Sequence, residues 1–497
     1  GLAGVHGAMV EVEVDMSAGV PGVVLVGLPD AVVRQSVDRV RAAVVNAGGT
    51  WPLRRITIGL SPASMPKQGS GFDLALAAAV LAAAGAVPRR SVARLVLLGE
   101  LGLDGSVRAI RGVLPAVLAA ARAGHEQVVV PAANADEAAL VDGVTVLAAG
   151  TLAEVVAHLA GRAQLPRHAR GPLPAPPPGP DLGEVVGQAA GRRAVEVAAA
   201  GGHHLFLTGP PGAGKTMLAE RLPGLLPALD EQAALEVTAI HSVAGTLPPG
   251  SPLVTRPTFE APHHSATMAA LVGGGSGQIR PGALCRAHRG VLFLDEAPEF
   301  PRAVLDTLRQ PLERGHVTIS RATGSATFPC RAQLVLAANP CPCATAAGDA
   351  ACTCSPLERR RYQARLSGPL LDRIDLRVDL PPVTRAAWLD GVDAPETTAV
   401  VAERVRAARA AAAERLRGTG LSLNSEVPGR LLRERWAVPR PALALAERAL
   451  ERGVLSVRGF DRVLRVSWTL ADLAGRTVPG RAEVGEALGM RLQRAAA

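Results

Sequence analysis

The segment that most constrains this chain reads Gly-Pro-Pro-Gly-Ala-Gly-Lys-Thr and lies between two apolar runs. The run His204–Thr208 before it predicts a buried strand, and Met217–Leu222 after it predicts the start of a helix. A glycine-rich turn that opens a helix is typical of a phosphate-binding loop, because its backbone N–H groups point at the anion. A turn without a ligand is the weaker interpretation here. The predicted nucleotide-binding residues are Gly209, Pro210, Pro211, Gly212, Ala213, Gly214, Lys215 and Thr216.

Lysine is rare in this chain, which makes its position in the loop informative. Of 53 basic residues, only Lys67 and Lys215 are lysines. In a P-loop the lysine reaches the β- and γ-phosphates, and the next hydroxyl ligates Mg²⁺. The sequence therefore predicts these roles for Lys215 and Thr216, with ATP and Mg²⁺ as cofactors.

A second element predicts hydrolysis of the bound nucleotide. The apolar run Gly290–Leu294 ends in two carboxylates, Asp295 and Glu296. One carboxylate would hold Mg²⁺ and the next would orient or deprotonate the attacking water. A solvated strand end or a helix cap could also carry two acids, but their place downstream of a phosphate loop favours an ATPase. We assign Asp295 to the metal and Glu296 to catalysis.

Charge is unevenly distributed along the 497 residues. Residues 1–165 carry 13 bases and 13 acids, so the remainder of the chain carries the whole net charge of +9. A basic ATPase region indicates a polyanionic partner, most often nucleic acid. Arginine enrichment from base composition is the alternative explanation.

The opening of the chain does not have the pattern of an export signal. Glu11, Glu13 and Asp15 stand where a basic and then apolar start would be needed. The apolar run from 74 to 87 is too short to span a bilayer. We expect a cytoplasmic protein without a membrane partner.

A proline-rich stretch at residues 166–181 predicts a stiff linker. Residues 1–165 alternate strand and helix patterns, which predicts an α/β domain. Residues 182–382 would form the ATPase core. Residues 383–497 are dominated by helical patterns at 396–416, 439–452 and 456–474.

The segment Leu60–Asp73 resembles the active-site segment of the Lon protease domain. In Lon-type enzymes a serine two residues after the glycine of Pro-Lys-x-Gly attacks the peptide, and that position is Gly71 here. Ser70 stands one place early, where a turn would aim its hydroxyl elsewhere. The resemblance implies a Lon-protease-like α/β domain that lacks its nucleophile and serves a structural or interaction role.

The whole chain resembles the ComM/YifB family of magnesium-chelatase-like AAA+ proteins. The resemblance implies an AAA+ P-loop α/β core with a C-terminal helical lid. It also implies a hexameric helicase-type motor that drives branch migration of DNA during natural transformation. The stretches that carry it most specifically are Ala261–Ser265, Pro298–Phe300, Leu308–Glu313, Val317–Ala322 and Asn339–Cys343.

The resemblance also implies roles for residues outside the loop. Asn339 matches the first sensor, which helps to position the hydrolytic water. Arg373 matches an arginine finger that acts on the nucleotide of a neighbouring subunit and therefore requires a ring. Arg458 matches a second sensor on the helical lid. An ordinary surface ion pair is the alternative for either arginine. Val186 and Gly187 are expected beside the adenine.

Two segments are predicted to contact DNA. Leu271–Gln278 is glycine-rich and resembles an insert near the pore. The runs Val317–Ala322 and Thr327–Cys330 flank the turn Thr323–Ala326, which predicts a hairpin, and Arg321 near its tip could contact phosphate. A motor must pass any sequence, so we expect phosphate rather than base contacts. We do not assign the nearby His263 and His264 as metal ligands.

Four of the six cysteines fall in one short loop after Asn339. Four thiolates in two close pairs match the four-ligand tetrahedral coordination of a structural Zn²⁺. A cytosolic compartment argues against disulfides. Four free thiols remain the alternative, because the spacing is C-x-C rather than C-x₂-C. Cys285 and Cys330 are expected to be buried small side chains. The four candidates are Cys341, Cys343, Cys352 and Cys354.

Three other functions compete with a DNA motor. A chelatase motor would insert Mg²⁺ into a porphyrin with partner subunits. An ATP-dependent protease would need the nucleophile that Gly71 replaces. A remodeller of protein substrates would use the same ATPase without response to DNA.

Overall fold

An N-terminal α/β region, a second α/β region and a run of C-terminal helices follow one another along the chain. The computed structural model of the protein describes residues 1–174, 177–248, 252–275, 279–321, 324–345, 352–383 and 395–492. The α/β character predicted for residues 1–165 and for the ATPase core is confirmed.

The N-terminal region contains a three-stranded and a four-stranded sheet. In the first, the central strand Arg55–Ser61 pairs antiparallel with Glu11–Ser17 and parallel with Gly22–Val26. The second has the order Arg167–His168, Thr145–Ala149, Gln127–Pro131 and Val96–Leu97. Two-stranded ribbons join Leu2–Ala3 to His6–Gly7 and Glu100–Leu101 to Val107–Arg108. The helices are Ala31–Asn46, Asp73–Ala83, Arg89–Val92, Val113–Arg122, Ala135–Ala138 and Leu152–Leu159.

The start of the proline-rich stretch belongs to this region. Arg167–His168 extends the four-stranded sheet, with His168 opposite Val146. The His168 ring lies 2.7 Å from the carboxylate of Asp136. Farther along, Arg256 of the ATPase region donates to the carbonyl of Pro177 at 2.8 Å. The stretch predicted as a linker is therefore fixed to structure at both of these points.

A five-stranded parallel sheet forms the centre of the second region. Its strands pair in the order Phe259–Glu260, Val291–Leu294, Gln333–Ala338, Leu205–Thr208 and Leu376–Asp379. The three inner strands are apolar and largely buried, as expected where helices cover both faces of a parallel sheet. All five strands run in one direction, so we name the two ends of the sheet its carboxyl edge and its amino edge.

Helices pack on both faces of this sheet. On one face, Val195 and Leu218 share a core with Val405 and Trp468 of the C-terminal helices. On the other face, Phe300, Leu305 and Phe328 form a second core. The helix Ala189–Gly201 precedes the first of these strands in the chain. The helices between the strands are Lys215–Leu225, Glu231–Ala244, Met268–Leu271, Ala283–Arg286, Arg302–Asp306, Arg309–Arg314, Pro356–Gln363 and Gly368–Leu371; a hairpin of His316–Arg321 and Gly324–Pro329 lies beside them.

The three helical patterns near the C-terminus are confirmed to within two residues at each end. They correspond to Thr398–Arg415, Arg440–Glu451 and Val457–Leu473, and the structure adds Gly429–Glu434 and Arg481–Leu492. Trp468 donates its indole N–H to the carbonyl of Trp436 at 3.1 Å, which ties these helices together.

The N-terminal region packs directly on the ATPase region. Val113 and Val117 of one helix share a core with Ala234 and Ala239 of Glu231–Ala244. The buried carboxylate of Glu137 accepts hydrogen bonds from the Leu114 N–H and the Ser242 hydroxyl across this contact. No helix in the described part of the chain has the length and apolar character that a bilayer crossing requires.

Candidate nucleotide site and nucleic-acid surface

The predicted phosphate loop lies at the carboxyl edge of the central sheet. It connects the strand ending at Thr208 to the helix beginning at Lys215. Gly212 and Gly214 have φ values of 79° and 83°, a left-handed conformation that favours glycine. The N-terminus of the helix faces this edge, so its first N–H groups and its dipole can hold an anion.

Lys215 joins the loop to the neighbouring strand. Its Nζ donates to the carbonyls of Gly209 and Pro210 at 2.7 and 2.9 Å, and to Asn339 Oδ1 at 3.0 Å. Burial lowers the pKa of Lys215, and the charges of Asp295 and Glu296 oppose that shift. Two residues that the sequence predicted separately, Lys215 and Asn339, are therefore in contact.

Thr216 and Asp295 also meet, although they lie on different strand–loop connections. The Thr216 hydroxyl donates to Asp295 Oδ2 at 2.8 Å, and the other carboxylate oxygen accepts the Glu296 N–H at 2.9 Å. Hydroxyl and carboxylate oxygens are the donors that Mg²⁺ prefers. This pair fits the magnesium ligation predicted for it.

Glu296 has a partner that the sequence did not predict. Its carboxylate oxygen Oε2 lies 3.1 Å from Nδ1 of His264. Glu296 has a φ of 49°, and its side chain is 51% exposed. The ring of His264 lies 4.0 Å from that of His263, centroid to centroid, and His263 Nδ1 contacts the Ser265 hydroxyl at 2.8 Å. Only the tertiary structure shows that one of this histidine pair reaches the acidic pair.

Tyr362 is a second residue that sequence reasoning missed at this edge. The backbone N–H of Asn339 donates to its phenol oxygen, and burial, together with the charge of Glu299, raises the pKa of Tyr362 to about 12. Tyr362 therefore contacts the backbone of Asn339, whose side chain contacts Lys215.

Val186 and Gly187 lie in the turn that enters the helix Ala189–Gly201. The next residue, Gln188, donates to the carbonyl of Pro381 at 2.6 Å. The adjacent Leu380 carbonyl approaches Gly209 so closely that a Cβ there would lie 2.6 Å away. The predicted adenine segment is thus connected to the flank of the phosphate loop.

Arg373 lies at the opposite edge of the sheet from Lys215. It precedes the strand Leu376–Asp379. The first residue of that strand, Leu376, pairs with Leu205, the first residue of the strand that leads into the phosphate loop. Four strand residues span about 13 Å, so the sheet separates Arg373 from the loop of its own chain. The Arg373 guanidinium donates to the Pro369 carbonyl at 2.6 Å and pairs with Glu313.

The first turns of the helix Val457–Leu473 are also at the amino edge. Arg462 donates to Asp375 at 3.0 Å, and His203 Nδ1 lies 3.3 Å from the same carboxylate. Burial alone would raise the pKa of Asp375, but the hydrogen bond from His203 and the charges of His203 and Arg462 lower it. Arg458 lies one turn before Arg462 and is exposed, about 6 Å away along the axis. The structure therefore places Arg458 toward the amino edge, where Arg373 also lies, and no contact among the described residues joins Arg458 to Lys215.

A cleft of about 900 Å³ opens beside these arginines. The Nε atoms of Arg373 and Arg462 are buried there, without a hydrogen-bond partner in the described part of the chain. Charged side chains that line the cleft include Glu313, Arg373, Asp375, Arg409, Arg462 and Arg465.

The predicted hairpin is confirmed, but its turn is tighter than expected. Arg321 pairs with Gly324, and Thr318 with Thr327. The expected turn Thr323–Ala326 is therefore wrong in extent, because Ala326 is a buried strand residue opposite Ile319. Residues 322 and 323 lie outside the described residues. The solvent face of the hairpin carries hydroxyl groups, those of Thr318, Ser320, Ser325 and Thr327.

The two segments predicted to contact DNA lie together. Gly273–Gly274 pairs with Arg280–Pro281 in a short ribbon, while residues 276–278 lie outside the described residues. A Cβ at Gly273 would be 2.6 Å from Ile319 of the hairpin, and one at Gly274 would be 3.1 Å from Arg321 Nη2. The ribbon and the hairpin form one surface, on which Arg280 and Arg321 are exposed.

The four loop cysteines converge. The sulfur of Cys341 lies 3.6 Å from that of Cys343 and 3.4 Å from that of Cys352, and Cys354 completes a group within 4.8 Å. Tetrahedral ligation with Zn–S bonds of about 2.3 Å places sulfurs ~3.8 Å apart. The donor set and its spacing fit zinc. Cys285 and Cys330 are buried as expected, and burial raises the pKa of Cys285 to about 12.

The N-terminal region does not form the nucleophile arrangement of a serine–lysine protease around Ser70. The Ser70 hydroxyl donates to the carboxylate of Glu100. Lys67 is fully buried and donates to the Pro62 carbonyl. A Cβ at Gly71 would lie 3.2 Å from the apolar Ile110. Within the described contacts, the hydroxyl and the amine have different partners.

The parallel sheet, the phosphate loop at its carboxyl edge and the adjoining acidic pair define a P-loop ATPase. Comparison with known proteins narrows this class. The family model "Subunit ChlI of Mg-chelatase" matches residues 12–134, "Magnesium chelatase, subunit ChlI" matches 181–388, and its C-terminal model matches 395–491.

Full-length relatives agree with these matches. Competence protein ComM of Haemophilus influenzae is 42% identical over 500 residues, which cover 98% of this chain and 95% of that protein. YifB of Salmonella typhimurium is 39% identical over 488 residues, with 98% and 95% covered. A Mycobacterium tuberculosis protein, Rv2897c, is 56% identical over 490 residues, with 99% and 97% covered. The chain therefore belongs to the ComM/YifB family of magnesium-chelatase-like AAA+ ATPases, whose cofactors are ATP and Mg²⁺.

A shorter similarity concerns the N-terminal region. Lon protease of Trichlorobacter lovleyi is 29% identical over 138 residues, which cover 26% of this chain and 16% of that enzyme. This match supports the Lon-like resemblance of a short N-terminal region.

Proposed function

We propose that the protein is a hexameric, ring-forming, ATP-driven motor that moves DNA. One observation carries this proposal: the ligands for nucleotide lie at the carboxyl edge of the sheet, whereas the arginines suited to γ-phosphate lie at its amino edge. A single chain cannot bring both edges to one nucleotide. A ring of identical chains can, because each interface then joins the amino edge of one copy to the carboxyl edge of the next.

At the carboxyl edge, the phosphate loop binds the triphosphate and Lys215 neutralises its β- and γ-oxygens. Thr216 and Asp295 hold Mg²⁺, which when bound neutralises charge on the phosphates. Glu296 accepts a proton from the attacking water, and Asn339 orients that water while it also fixes Lys215. Val186 and Gly187 contact the adenine.

At the amino edge, Arg373 is the arginine finger. Its partly exposed guanidinium is held by Pro369 and Glu313 and turns toward the basic cleft. Arg458 acts from the same edge, so we assign the second sensor to the nucleotide of the neighbouring copy. The C-terminal helices serve as a lid that carries this arginine to the interface.

The hairpin and the adjoining ribbon are the proposed DNA surface. Their exposed hydroxyls and the guanidinium groups of Arg280 and Arg321 suit phosphate oxygens, and contacts to phosphate carry no sequence information. In the proposed ring, this surface lines a central pore. Each ATP hydrolysis event then moves the DNA backbone, whatever the base sequence.

The relative named Competence protein ComM suggests where such a motor works. We propose branch migration of DNA during natural transformation, with cytoplasmic location. A chelatase motor subunit remains the second candidate, because all three family models carry the magnesium-chelatase description.

The test is ATPase activity with and without forked DNA over a salt series. A DNA motor responds with a several-fold rise in rate that weakens as salt increases, because phosphate contacts release counterions. Stimulation by a porphyrin and chelating subunits, or by unfolded protein, in place of DNA would favour the chelatase motor or the protein remodeller.

We also propose that the four loop cysteines bind one structural Zn²⁺. The purified protein should contain one zinc per chain, and cobalt exchanged into the site should give the thiolate charge-transfer absorption of a four-sulfur site. A Cys343→Ser variant should lose the metal, whereas Cys285→Ser should keep it. Zinc-free wild-type protein that takes up no cobalt would establish the four-thiol alternative.

A further inference from the structure

The proposed arginine finger has an acidic partner from a distant segment of the same chain. Arg373 donates from Nη1 to the Pro369 carbonyl at 2.6 Å and from Nη2 to the carboxylate of Glu313, which is 60 residues away in sequence. Its Nε is buried without a hydrogen-bond partner in the described part of the chain. A guanidinium has five N–H donors, so one donor on each terminal nitrogen is left. Two such neighbouring donors suit the oxygens of a phosphate.

The backbone that carries Glu313 is anchored on both sides of the hairpin. Glu313 is the penultimate residue of the helix Arg309–Arg314, which ends at Gly315 with a φ of 70°. The Gly315 N–H donates to the Pro311 carbonyl, and the Gly315 carbonyl accepts the Cys330 N–H, both at 2.8 Å. A carboxylate in the last turn of a helix meets the negative end of the helix dipole, so contact with a guanidinium offsets an unfavourable position. The turn from which Glu313 projects is therefore fixed.

We propose that Glu313 is a positioning residue that aims the Arg373 guanidinium at the γ-phosphate bound by the neighbouring copy. This inference rests on the proposed function, in which the finger acts between copies. With the Pro369 carbonyl as its sole acceptor, the guanidinium would be free to turn about one hydrogen bond. The Glu313 carboxylate supplies a second point of attachment. The two remaining donors then keep one direction, toward the cleft that both side chains line.

Steady-state ATPase assays on full-length variants measure the size of the effect. Glu313→Ala should lower kcat about 10²-fold, because a misplacement of about 1 Å in a catalytic group costs that much. The ATP dissociation constant should stay within about twofold, since the phosphate loop of the same copy is untouched. Glu313→Gln should recover most of the lost rate, because its amide oxygen still accepts a hydrogen bond from the guanidinium. Glu434→Ala removes an exposed acid paired with Arg430 and, as the matched control, should keep kcat within about twofold.

Mixed rings distinguish positioning from general damage to the fold. Lys215→Ala and Arg373→Ala proteins complement each other only where one variant supplies the loop and the other supplies the finger. Glu313→Ala is added to each of the two proteins in turn. On the Lys215→Ala copy it should lower the restored ATPase activity by about 10²-fold, because that copy supplies the finger. On the Arg373→Ala copy it should cause no further loss, because that copy supplies only the loop.

A wild-type kcat in Glu313→Ala would overturn the inference, and so would a Glu313→Gln protein as slow as Glu313→Ala. Equal losses in the two mixtures would also overturn it, because a purely structural role predicts that result. If Lys215→Ala and Arg373→Ala form mixed rings that stay inactive with Glu313 intact, the sharing of one active site between copies is refuted, and this inference with it. The failure of the inference and the failure of the proposed function are therefore distinguishable.

Discussion

The two edges of the central sheet differ in how they are built. At the carboxyl edge, Glu296 is 51% exposed, and its carboxylate lies 3.1 Å from Nδ1 of His264. At the amino edge, Asp375 is 4% exposed and contacts both His203 and Arg462. The first edge keeps its acid accessible, whereas the second fixes its acid as the anchor of a cationic cluster.

Under the proposed function, this difference corresponds to a division of work between copies of the chain. A base that meets water must be free to turn, so its surroundings are open. An arginine finger acts on the nucleotide of the neighbouring copy. Its own subunit must therefore hold the guanidinium in position, so its surroundings are rigid. Asp375, two residues after Arg373, supplies that rigidity by tying the strand to the C-terminal helices.

The largest effect is expected from Arg373→Ala. We expect ATPase activity to fall roughly 10³–10⁵-fold while nucleotide binding is retained, because the phosphate loop is untouched. Arg373→Lys should remain strongly impaired, since an ammonium cannot replace the planar fork of a guanidinium. Steady-state ATPase rates and binding of a fluorescent ATP analogue measure the two properties. Arg433→Ala, which removes an exposed arginine paired with Asp461, serves as the control.

Glu296→Gln should reduce kcat by roughly 10²–10⁴-fold. ATP binding should persist, so rings should accumulate with nucleotide bound. Single-turnover hydrolysis measures the chemical step directly. Glu414→Gln, at an exposed acid paired with Arg417 on a C-terminal helix, is the control. An unchanged single-turnover rate would remove Glu296 from its assigned role.

Asp375→Asn tests the contrast in burial. Removing the carboxylate of this buried ion pair leaves the Arg462 guanidinium uncompensated, so we expect a loss of about 3–5 kcal/mol in the free energy of unfolding. Glu296→Gln, at an exposed position, should change the same quantity by less than ~0.5 kcal/mol. Urea denaturation of both variants measures the difference. Equal stabilities would show that the two edges are not built differently.

The smallest effect is expected from Arg321→Ala on the hairpin. Losing one phosphate contact should weaken DNA binding uniformly across sequences and reduce the slope of log affinity against log salt by about one. The equilibrium affinity for forked DNA at several salt concentrations measures this slope. Arg302→Ala removes an exposed arginine from the helix Arg302–Asp306, outside the hairpin, and should leave the slope unchanged. A sequence-dependent loss would indicate base readout instead.

Local patterns were enough to predict most elements of the fold. The loop at 209–216 needed only its glycines and flanking apolar runs, and the strand Val291–Leu294 was indicated by an apolar run that ends at two carboxylates. The helix Val457–Leu473 followed from its periodic apolar face. Such features depend on neighbours in sequence, and so sequence could reveal them.

The contacts that define the candidate site depended on packing between distant segments. Nothing near His264 indicates that it meets Glu296, and nothing near Tyr362 indicates that its hydroxyl meets Asn339. The position of Arg458 at the amino edge likewise follows from Arg462 and Asp375, which are 87 residues apart. The hairpin turn was misplaced because glycine at 324 favoured a wider turn than the pairing of Arg321 with Gly324 allows.

The account is tested most directly by mixing two inactive variants. Lys215→Ala damages only the carboxyl edge and Arg373→Ala only the amino edge, so neither protein alone should hydrolyse ATP. In mixed rings, an interface is complete when Lys215 of one copy and Arg373 of the next copy are both intact. With equal amounts of the two variants, roughly one interface in four meets this condition. The account predicts that mixing restores a substantial fraction of wild-type ATPase activity. A mixture that forms rings yet stays at the background rate would contradict it.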